Sequence, residues 1–382
     1  MDSSDFLYKM KYLLISALAS VVVVIAGFVL WSCSANDSEA IKDFDYYDWS
    51  GKEVHLKTDK ILTVDTIIDY IMSVKREGDY YVVHYPYDWG LYKEVGDKLV
   101  FDKYLIRKGS APYETASSTR FSNLNDGRYF LGECIGSQKI FVSPTSNPED
   151  LSDITRWETQ SRENQSLPFF FESIQPVNDE MLMGSTLGNN STKFASYNLK
   201  TKQYNALDWA YPAIYNELPD AQKAFTMEGT LLKKPNENKY LFKPNIGFAM
   251  FVFDCDGNRI NNEKYIFNRF AAFGQGTDGE NSRPRLLEDR TCPYGISACI
   301  SNSHIYMQGK VVTIEDIFGE NSTEDYAHTD VIDSFDWNGK QHKRYLLDRK
   351  VKLFNVNTDD SALYGIVEGD EGDEIVIYNL PK

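Results

Sequence analysis

The sequence predicts an all-β fold of the barrel, sandwich or propeller kind. Short runs rich in Val, Ile, Tyr, Phe and Trp alternate with turns rich in Asn, Asp, Gly and Lys, and long amphipathic helical patterns are absent. Many short strands with turn signals between them are typical of these three architectures. The predicted strands are residues 73–75, 80–84, 98–104, 129–134, 139–142, 180–183, 193–198, 239–242, 249–254, 304–308, 331–336, 362–367 and 374–378.

Composition excludes two broad classes of protein. The 382 residues are 42% hydrophobic and 14% aromatic, which is enough apolar surface to offset chain entropy and excludes a disordered chain. The 56 acidic residues outnumber 40 Lys and Arg, giving a formal charge of −16. A field of this sign repels phosphate backbones, so we expect no nucleic-acid partner.

The N-terminus predicts export and a lipid anchor. Residues 12–31 carry no charge and follow Lys9 and Lys11, as in a secretory signal. Residues 30–33, Leu-Trp-Ser-Cys, resemble the bacterial lipobox, although Trp31 is larger than the usual residue there. We expect a signal peptide over 1–32, lipid on Cys33 and a tether over 33–50. An uncleaved anchor stays open, because a run of this length can span a bilayer.

Four further cysteines are too few for a disulfide scaffold. Cys292 and Cys299 are seven residues apart, and the sequence leaves a disulfide between them open. Cys255 lies beside an apolar run and is expected to be a small buried side chain.

A turn unit recurs along the chain and favours a propeller. Residues 253–257, Phe-Asp-Cys-Asp-Gly, and 335–339, Phe-Asp-Trp-Asn-Gly, combine an aromatic residue with an Asx-Gly turn, and 197–202 is a weaker copy. The two strong copies are 82 residues apart, about twice a blade of ~41 residues. No linker divides the chain, so residues 51–382 are predicted to form one propeller domain.

Several segments together resemble the TolB-like six-bladed β-propeller lipoproteins of Bacteroidetes. They are the lipobox, residues 107–114 (Arg-Lys-Gly-Ser-Ala-Pro-Tyr-Glu), residues 335–339 followed by 345–348 (Tyr-Leu-Leu-Asp), and residues 363–366 (Leu-Tyr-Gly-Ile) before 375–380. The likeness covers about residues 55–380, with Ala111 in place of a usual glycine. It implies six blades and a lipid anchor, and it carries over no catalytic residue.

No linear motif predicts a catalytic, metal or cofactor site. Residues 274–279 match the Gly-x-Gly-x-x-Gly pattern, but no strand–helix context surrounds it, so no cofactor is expected. Residues 254–258 and the acidic run 368–374 favour hairpin turns over calcium loops, with a hard cation at 368–374 as the alternative. The five histidines lack metal-ligand spacing.

The one candidate ligand-binding group is an aromatic cluster beside a histidine. His84 ends an apolar strand and is followed by Tyr85, Tyr87 and Trp89. Rings with polar edges suit sugars, peptides or protein surfaces. The competing interpretation is that His84 is a half-buried strand-end residue and that most of the aromatic rings pack in the core.

Two functions follow from these observations. The first is a monomeric, non-enzymatic lipoprotein of the cell envelope, attached to the outer membrane on its periplasmic or surface face, whose propeller binds an envelope protein or a glycan. The second is an extracytoplasmic hydrolase or lyase with a channel site built from several blades. Convergent carboxylates or a His–Asp pair in the channel would favour the enzyme.

Lipidation of Cys33 is testable by the intact mass of the membrane fraction from the native host. We expect a chain that starts at Cys33 and carries added acyl mass, and we expect Cys33→Ala to lose both features. A full-length chain that retains Met1 in both proteins would instead make residues 12–31 a permanent anchor.

Overall fold

The strands form a series of antiparallel meanders, each made of consecutive segments of chain. The computed structural model describes residues 48–65, 70–86, 88–117, 119–134, 139–161, 170–187, 193–209, 211, 223, 227–245, 250–258, 260, 273–274, 285–286, 291–313, 328–370 and 372–381. The predicted signal peptide, Cys33 and most of the tether lie outside these residues, as does Tyr87. Within the described residues, no helix has the length and apolar character needed to cross a bilayer.

Among the described residues, six groups of strands follow two N-terminal strands, β1 (Glu53–Leu56) and β2 (Lys60–Val64). Group 1 is β3 (Ser73–Glu77), β4 (Tyr80–His84), β5 (Trp89–Val95) and β6 (Lys98–Lys108), with the short β7 (Glu114–Thr115) parallel to β6. Group 2 is β8 (Thr119–Asn123), β9 (Tyr129–Glu133), β10 (Lys139–Val142) and β11 (Glu158–Ser161). Group 3 is β12 (Phe170–Pro176), β13 (Met181–Leu187), β14 (Phe194–Asn198) and β15 (Tyr204–Ala206).

The second half of the chain continues the same pattern. Group 4 has three described strands, β16 (Gly229–Lys233), β17 (Lys239–Pro244) and β18 (Phe251–Asp254). A separate two-stranded ladder joins β19 (Phe273–Gly274) to β20 (Arg285–Leu286). Group 5 is β21 (Thr291–Ile300), β22 (His304–Thr313), β23 (Thr329–Asp336) and β24 (Gln341–Val351), and β1 adds to β24 in parallel. Group 6 is β25 (Leu353–Val356), β26 (Ala362–Gly369) and β27 (Gly372–Asn379).

Strand β2 joins the end of the chain to its beginning. It pairs antiparallel with β27, the last strand of group 6, placing Leu62 opposite Ile375. Its other edge pairs in parallel with β6 of group 1, where the Thr63 amide donates to the Asp97 carbonyl at 3.0 Å. One strand therefore completes the last group and ties it to the first.

The first strands of the groups form a ring. Strand β12 packs against β8 and β16, β21 against β16 and β25, and β25 against β3. Lys75 of β3 closes the ring by donating from Nζ to Asn123 Oδ1 of β8 at 3.3 Å. Successive antiparallel meanders whose first strands surround a common axis are the architecture of a β-propeller.

Apolar cores separate neighbouring groups. Leu62, Tyr81, Tyr364 and Ile375 pack between groups 6 and 1, while Phe130, Phe171 and other side chains pack between groups 2 and 3. Between groups 3 and 4, Phe194 meets Phe242 edge-on with ring centroids 5.0 Å apart. Other aromatic side chains, such as Tyr80, Tyr81 and Trp209, are buried as well.

The recurring turn connects a third strand to the chain that follows it. In group 4 Asp254 Oδ1 accepts from the amides of Asp256 and Asn258, both at 2.9 Å. In group 5 Asp336 Oδ1 accepts from the amides of Asn338 and Lys340, again at 2.9 Å. The predicted hairpin turns are confirmed. The two copies lie in successive described groups, however, so the 82 residues between them correspond to one strand group and not to two blades of ~41 residues.

Strand geometry rules out the Cys292–Cys299 disulfide. Both residues belong to β21, and Cys299 is a buried free thiol. At about 3.3 Å of rise per residue, positions seven apart on one strand lie far beyond the ~7 Å limit for bridged Cα atoms.

The acidic run 368–374 forms the expected hairpin, with Gly369 paired to Gly372 at its tip.

Because β2 closes the ring, we expect substitutions at two adjacent positions of this strand to change the free energy of unfolding by very different amounts. Leu62 is fully buried between groups 6 and 1, so Leu62→Ala should lower the free energy of unfolding by about 2–5 kcal/mol. The neighbouring exposed Thr63→Ala should change it by less than about 1 kcal/mol. Urea unfolding of both variants measures the difference, and equal small effects would show that β2 does not hold the ring closed.

Candidate ligand-binding cavity

A cavity of about 270 Å³ lies inside the ring of first strands. Its size is near the lower end of pockets that hold small molecules. Every one of the six first strands contributes to its wall, and the contributing residues include Lys75, Arg120, Ser122, Gln175, Lys233, Ala298, Ile300, Phe354 and Asn355. The cavity therefore depends on all six groups and exists only when the ring is closed.

The charge of this cavity is opposite to that of the chain. Four side chains that are cations when protonated reach its wall, namely Lys75, Arg120, Lys233 and Lys243, and none of the described lining residues is Asp or Glu. The whole chain has a formal charge of −16. A cleft lined by one sign of charge with low-dielectric walls concentrates ligands of the other sign.

Arg120 presents hydrogen-bond donors to the cavity. It lies on β8, is partly buried, and its Nε is a buried atom without a hydrogen-bond partner. A guanidinium has five N–H donors in a fixed fork that matches a carboxylate or a similar oxyanion. Lys75, by contrast, is partly neutralised, because its Nζ lies 2.5 Å from Glu77 Oε1.

The two lysines of group 4 are deeply buried. Lys233 is 3% exposed, and its Nζ donates to Asn125 Oδ1 at 2.7 Å and to the Asn123 carbonyl at 3.2 Å, both neutral acceptors. Burial lowers the pKa of Lys233 to about 8, and Asp126 offsets part of that shift. Burial also lowers the pKa of Lys243, which is 2% exposed, to about 7, with Glu172 acting in the opposite direction. An anion in the cavity would favour the protonated form of both side chains.

His84 and Trp89 both line the cavity. The His84 ring stacks on Trp89 with centroids 4.1 Å apart and planes 14° from parallel. His84 is only 5% exposed and so is more buried than expected from the sequence, and its Nε2 has no hydrogen-bond partner. Burial, followed by the charge of Arg120, lowers its pKa to about 3. The imidazole is therefore neutral at pH 7 and adds hydrogen-bonding capacity without charge.

The rest of the predicted aromatic cluster lies elsewhere. Tyr85 packs with Tyr92 and Phe101 in the core between groups 6 and 1, and its hydroxyl hydrogen-bonds to that of Tyr92. Tyr87 is outside the described residues. The structure thus places two of the four side chains at the cavity, and it describes no shared sugar platform for the set.

Several polar atoms in the wall lack partners within the protein. Besides His84 Nε2 and Arg120 Nε, they are Ser122 Oγ and Gln175 Oε1. The Gln175 side chain is held in place because its Nε2 donates to the Leu231 carbonyl at 2.9 Å. Buried polar atoms are normally paired, and leaving them unpaired costs free energy. Their convergence on one cavity makes it the candidate site for a polar ligand.

The cavity offers little that would act as a nucleophile or hold a metal. Burial, followed by Asp360, raises the pKa of the Cys299 thiol well above its ordinary value, so the thiol stays protonated at neutral pH. Among the residues that the structure describes, no group of three or more His, Cys, Asp or Glu side chains is arranged to hold a metal ion. The wall is suited to binding an oxyanion.

Sequence reasoning missed Arg120, Gln175, Lys233 and Lys243. Three of them lie on first strands β8, β12 and β16, which were not predicted because polar residues interrupt their apolar pattern. One sequence pattern could have indicated these strands. It is a short segment that precedes a predicted hairpin and contains an isolated basic or amide residue, as in 119–123 (Thr-Arg-Phe-Ser-Asn).

Comparisons with known proteins support the fold and no more. The sequence matches no known family and no curated protein. The structure is similar to a member of the DUF4221 family from Bacteroides vulgatus, with a TM-score of 0.51 and 12% identity over 85% of this chain and 97% of that one. At this identity the likeness shows the fold alone.

Two weaker similarities carry no argument. One is to a candidate exported protein from Bacteroides fragilis, with a TM-score of 0.47 and 10% identity over 86% of this chain and 100% of that one. The other is to the β-propeller domain of Swd1 from Myceliophthora thermophila, with a TM-score of 0.42 and 10% identity over 85% and 99% of the two chains. The resemblance to TolB-like lipoproteins stays a prediction.

The buried imidazole predicts a pH dependence of stability. In the unfolded chain, His84 gains a proton as the pH drops below its ordinary pKa of 6.5. In the folded protein, the His84 imidazole stays unprotonated until about pH 3. The free energy of unfolding therefore falls as the pH drops through this window, by roughly 2 kcal/mol between pH 7 and pH 5 for this one group.

Urea unfolding at pH 7 and pH 5 tests this dependence. His84→Phe should lose less stability than the wild type between the two pH values, by that amount. The control His55→Phe changes an exposed ring and should match the wild type. An identical pH response in the wild type and His84→Phe would show that His84 is not buried as described.

Proposed function

We propose that this protein is a six-bladed propeller, tethered by lipid to an envelope membrane, that binds a small anionic ligand in its central cavity. The observation that carries the proposal is the charge of the cavity wall, where four basic side chains and no described acidic one converge inside a chain of −16. The six groups of strands support the blade number, and the N-terminal sequence supports export and lipidation.

Lys233 is buried beside neutral hydrogen-bond acceptors. Its Nζ donates to Asn125 Oδ1 and to the Asn123 carbonyl, and burial lowers its pKa to about 8. Burying an ammonium group costs free energy. An oxyanion placed near Lys233 and Arg120 would add negative charge and accept charge-assisted hydrogen bonds.

The charge, volume and lining residues of this cavity can be compared with what a glycan or protein partner and a hydrolase or lyase would each require. A glycan would need an acidic group to suit a basic wall, and a volume of about 270 Å³ favours one small unit over a polymer. Convergent carboxylates or a His–Asp pair would favour the hydrolase or lyase, and the described lining residues of the cavity supply neither. Binding is the function that the wall supports best.

Calorimetric titration at low ionic strength tests anion binding. The probes are acetate, benzoate and sulfate, with acetamide and benzamide as neutral counterparts of the two carboxylates. We expect at least one anion to bind, the corresponding amide to bind far more weakly, and Lys243→Met and Arg120→Gln each to weaken anion binding by about tenfold or more.

A matched control separates the cavity from general charge. Lys350→Met removes an exposed lysine of β24 and should leave the affinity unchanged. Absence of binding by all three anions, or equal binding of each amide and its acid, would overturn the proposal.

A further inference from the structure

Gln175 brings a hydrogen-bond acceptor of fixed orientation to the wall of the cavity. It lies on β12 and is 1% exposed. Its Nε2 donates to the Leu231 carbonyl of β16 at 2.9 Å, and its Oε1 has no hydrogen-bond partner within the protein. Exchanging these two atoms would set an amide oxygen against the Leu231 carbonyl oxygen, so this contact fixes the orientation of the amide. The Gln175 side chain therefore leaves one acceptor for a ligand.

The strands on either side of Gln175 carry hydrogen-bond donors. In the ring, β12 packs against both β8 and β16. Arg120 on β8 has a buried Nε without a partner, and Lys233 on β16 also reaches the wall. A guanidinium can only donate hydrogen bonds, whereas an amide oxygen can only accept them. A ligand that satisfies both Arg120 and Gln175 must therefore carry an acceptor and a donor.

A simple ionised acid lacks that donor. A deprotonated carboxylate accepts hydrogen bonds and donates none. Acetate or benzoate in the cavity would pair with Arg120 and leave Gln175 Oε1 buried without a partner, and an unsatisfied buried acceptor costs free energy. The ligand that fits this wall best therefore has an O–H or N–H group besides its acid group.

The charge of the wall favours a hydroxyl over an ammonium group as that donor. Four basic side chains reach the wall, and none of the described lining residues is Asp or Glu. An ammonium group would meet charges of its own sign without a carboxylate in the described wall to pair with. A hydroxyl donates the same hydrogen bond without this repulsion.

We propose that the ligand is a small hydroxy acid, bound with its carboxylate at Arg120 and with its hydroxyl donating to Gln175 Oε1. This inference rests on the proposed function and specifies its ligand class. The volume of about 270 Å³ favours a compact molecule. Gln175 then determines specificity, because it distinguishes a hydroxy acid from the same acid without the hydroxyl.

Titration of the wild type with three-carbon acids of nearly equal size tests the ligand class. The probes are propionate, both enantiomers of lactate, 3-hydroxypropionate, alanine and β-alanine. We expect at least one hydroxy acid to bind about tenfold more tightly than propionate, because propionate leaves Gln175 Oε1 unpaired. The amino acid with its ammonium group on the same carbon should bind more weakly than that hydroxy acid.

The outcomes of this series separate the inference from the proposed function. Hydroxy acids that bind no more tightly than propionate, or not at all while acetate, benzoate or sulfate binds, would overturn this inference and leave the proposed function intact. An amino acid that binds as tightly as its hydroxy counterpart would overturn the assignment of a hydroxyl, and with it this inference alone. Absence of binding by every one of these anions would overturn both.

Gln175→Met tests whether this residue recognises the hydroxyl, since it removes the acceptor at similar side-chain length. We expect it to weaken the preferred hydroxy acid about tenfold and to leave propionate within about twofold, so that the preference disappears. A preference that survives in Gln175→Met would overturn the inference. Should that variant fail to fold, the wild-type series still decides.

Gln308→Met is the matched control. Gln308 on β22 is also fully buried, its Nε2 donates to the Val351 carbonyl at 2.8 Å, and its Oε1 has no partner within the protein. It is not among the described residues that line the cavity. Gln308→Met should therefore keep the preference for the hydroxy acid, and its loss there would show that the preference does not come from Gln175.

Discussion

The pairing of β2 with β27 is the constraint on which the rest of the structure depends. Four residue pairs, from Lys60 with Ile377 to Thr63 with Glu374, join the start of the described chain to its end, and the other edge of β2 bonds to β6. Closure costs loop entropy that grows slowly with the length of the enclosed chain, and the buried contacts of Leu62 offset that cost. Without closure the six first strands would not face one another, and the cavity would not form.

Closure also explains how an acidic protein maintains a cavity with a basic wall. Exposed carboxylates face water, where their repulsion is screened, whereas Arg120, Lys233 and Lys243 are held in a shielded wall by strands of groups 2 and 4. The folded state bears the cost of desolvating these groups, which appears as the lowered pKa values of Lys233 and Lys243. The core contacts between groups supply the stability that offsets this cost.

The sequence predicted the second and third strands of most groups far better than the first strands. Strand β4 reads Tyr-Tyr-Val-Val-His and is buried throughout, so composition alone identifies it. Strands β8 and β16 each have one side that lines a polar cavity, so Arg120 and Lys233 interrupt the apolar pattern. His84 and Trp89 were predicted as site residues because aromatic rings stood beside a histidine in sequence. Lys243 was not, since nothing in a linear pattern tells which polar end of a strand faces the axis of a ring.

The most direct test is a crystal structure of the protein with 4-bromobenzoate, in which anomalous scattering from bromine locates the ring. We expect a bromine site inside the cavity and a carboxylate within hydrogen-bond distance of Arg120, Lys233 or Lys243, about 2.7–3.2 Å. Bromine found only on the outer surface, or a carboxylate inside the cavity but out of reach of all three side chains, would contradict anion binding by this wall.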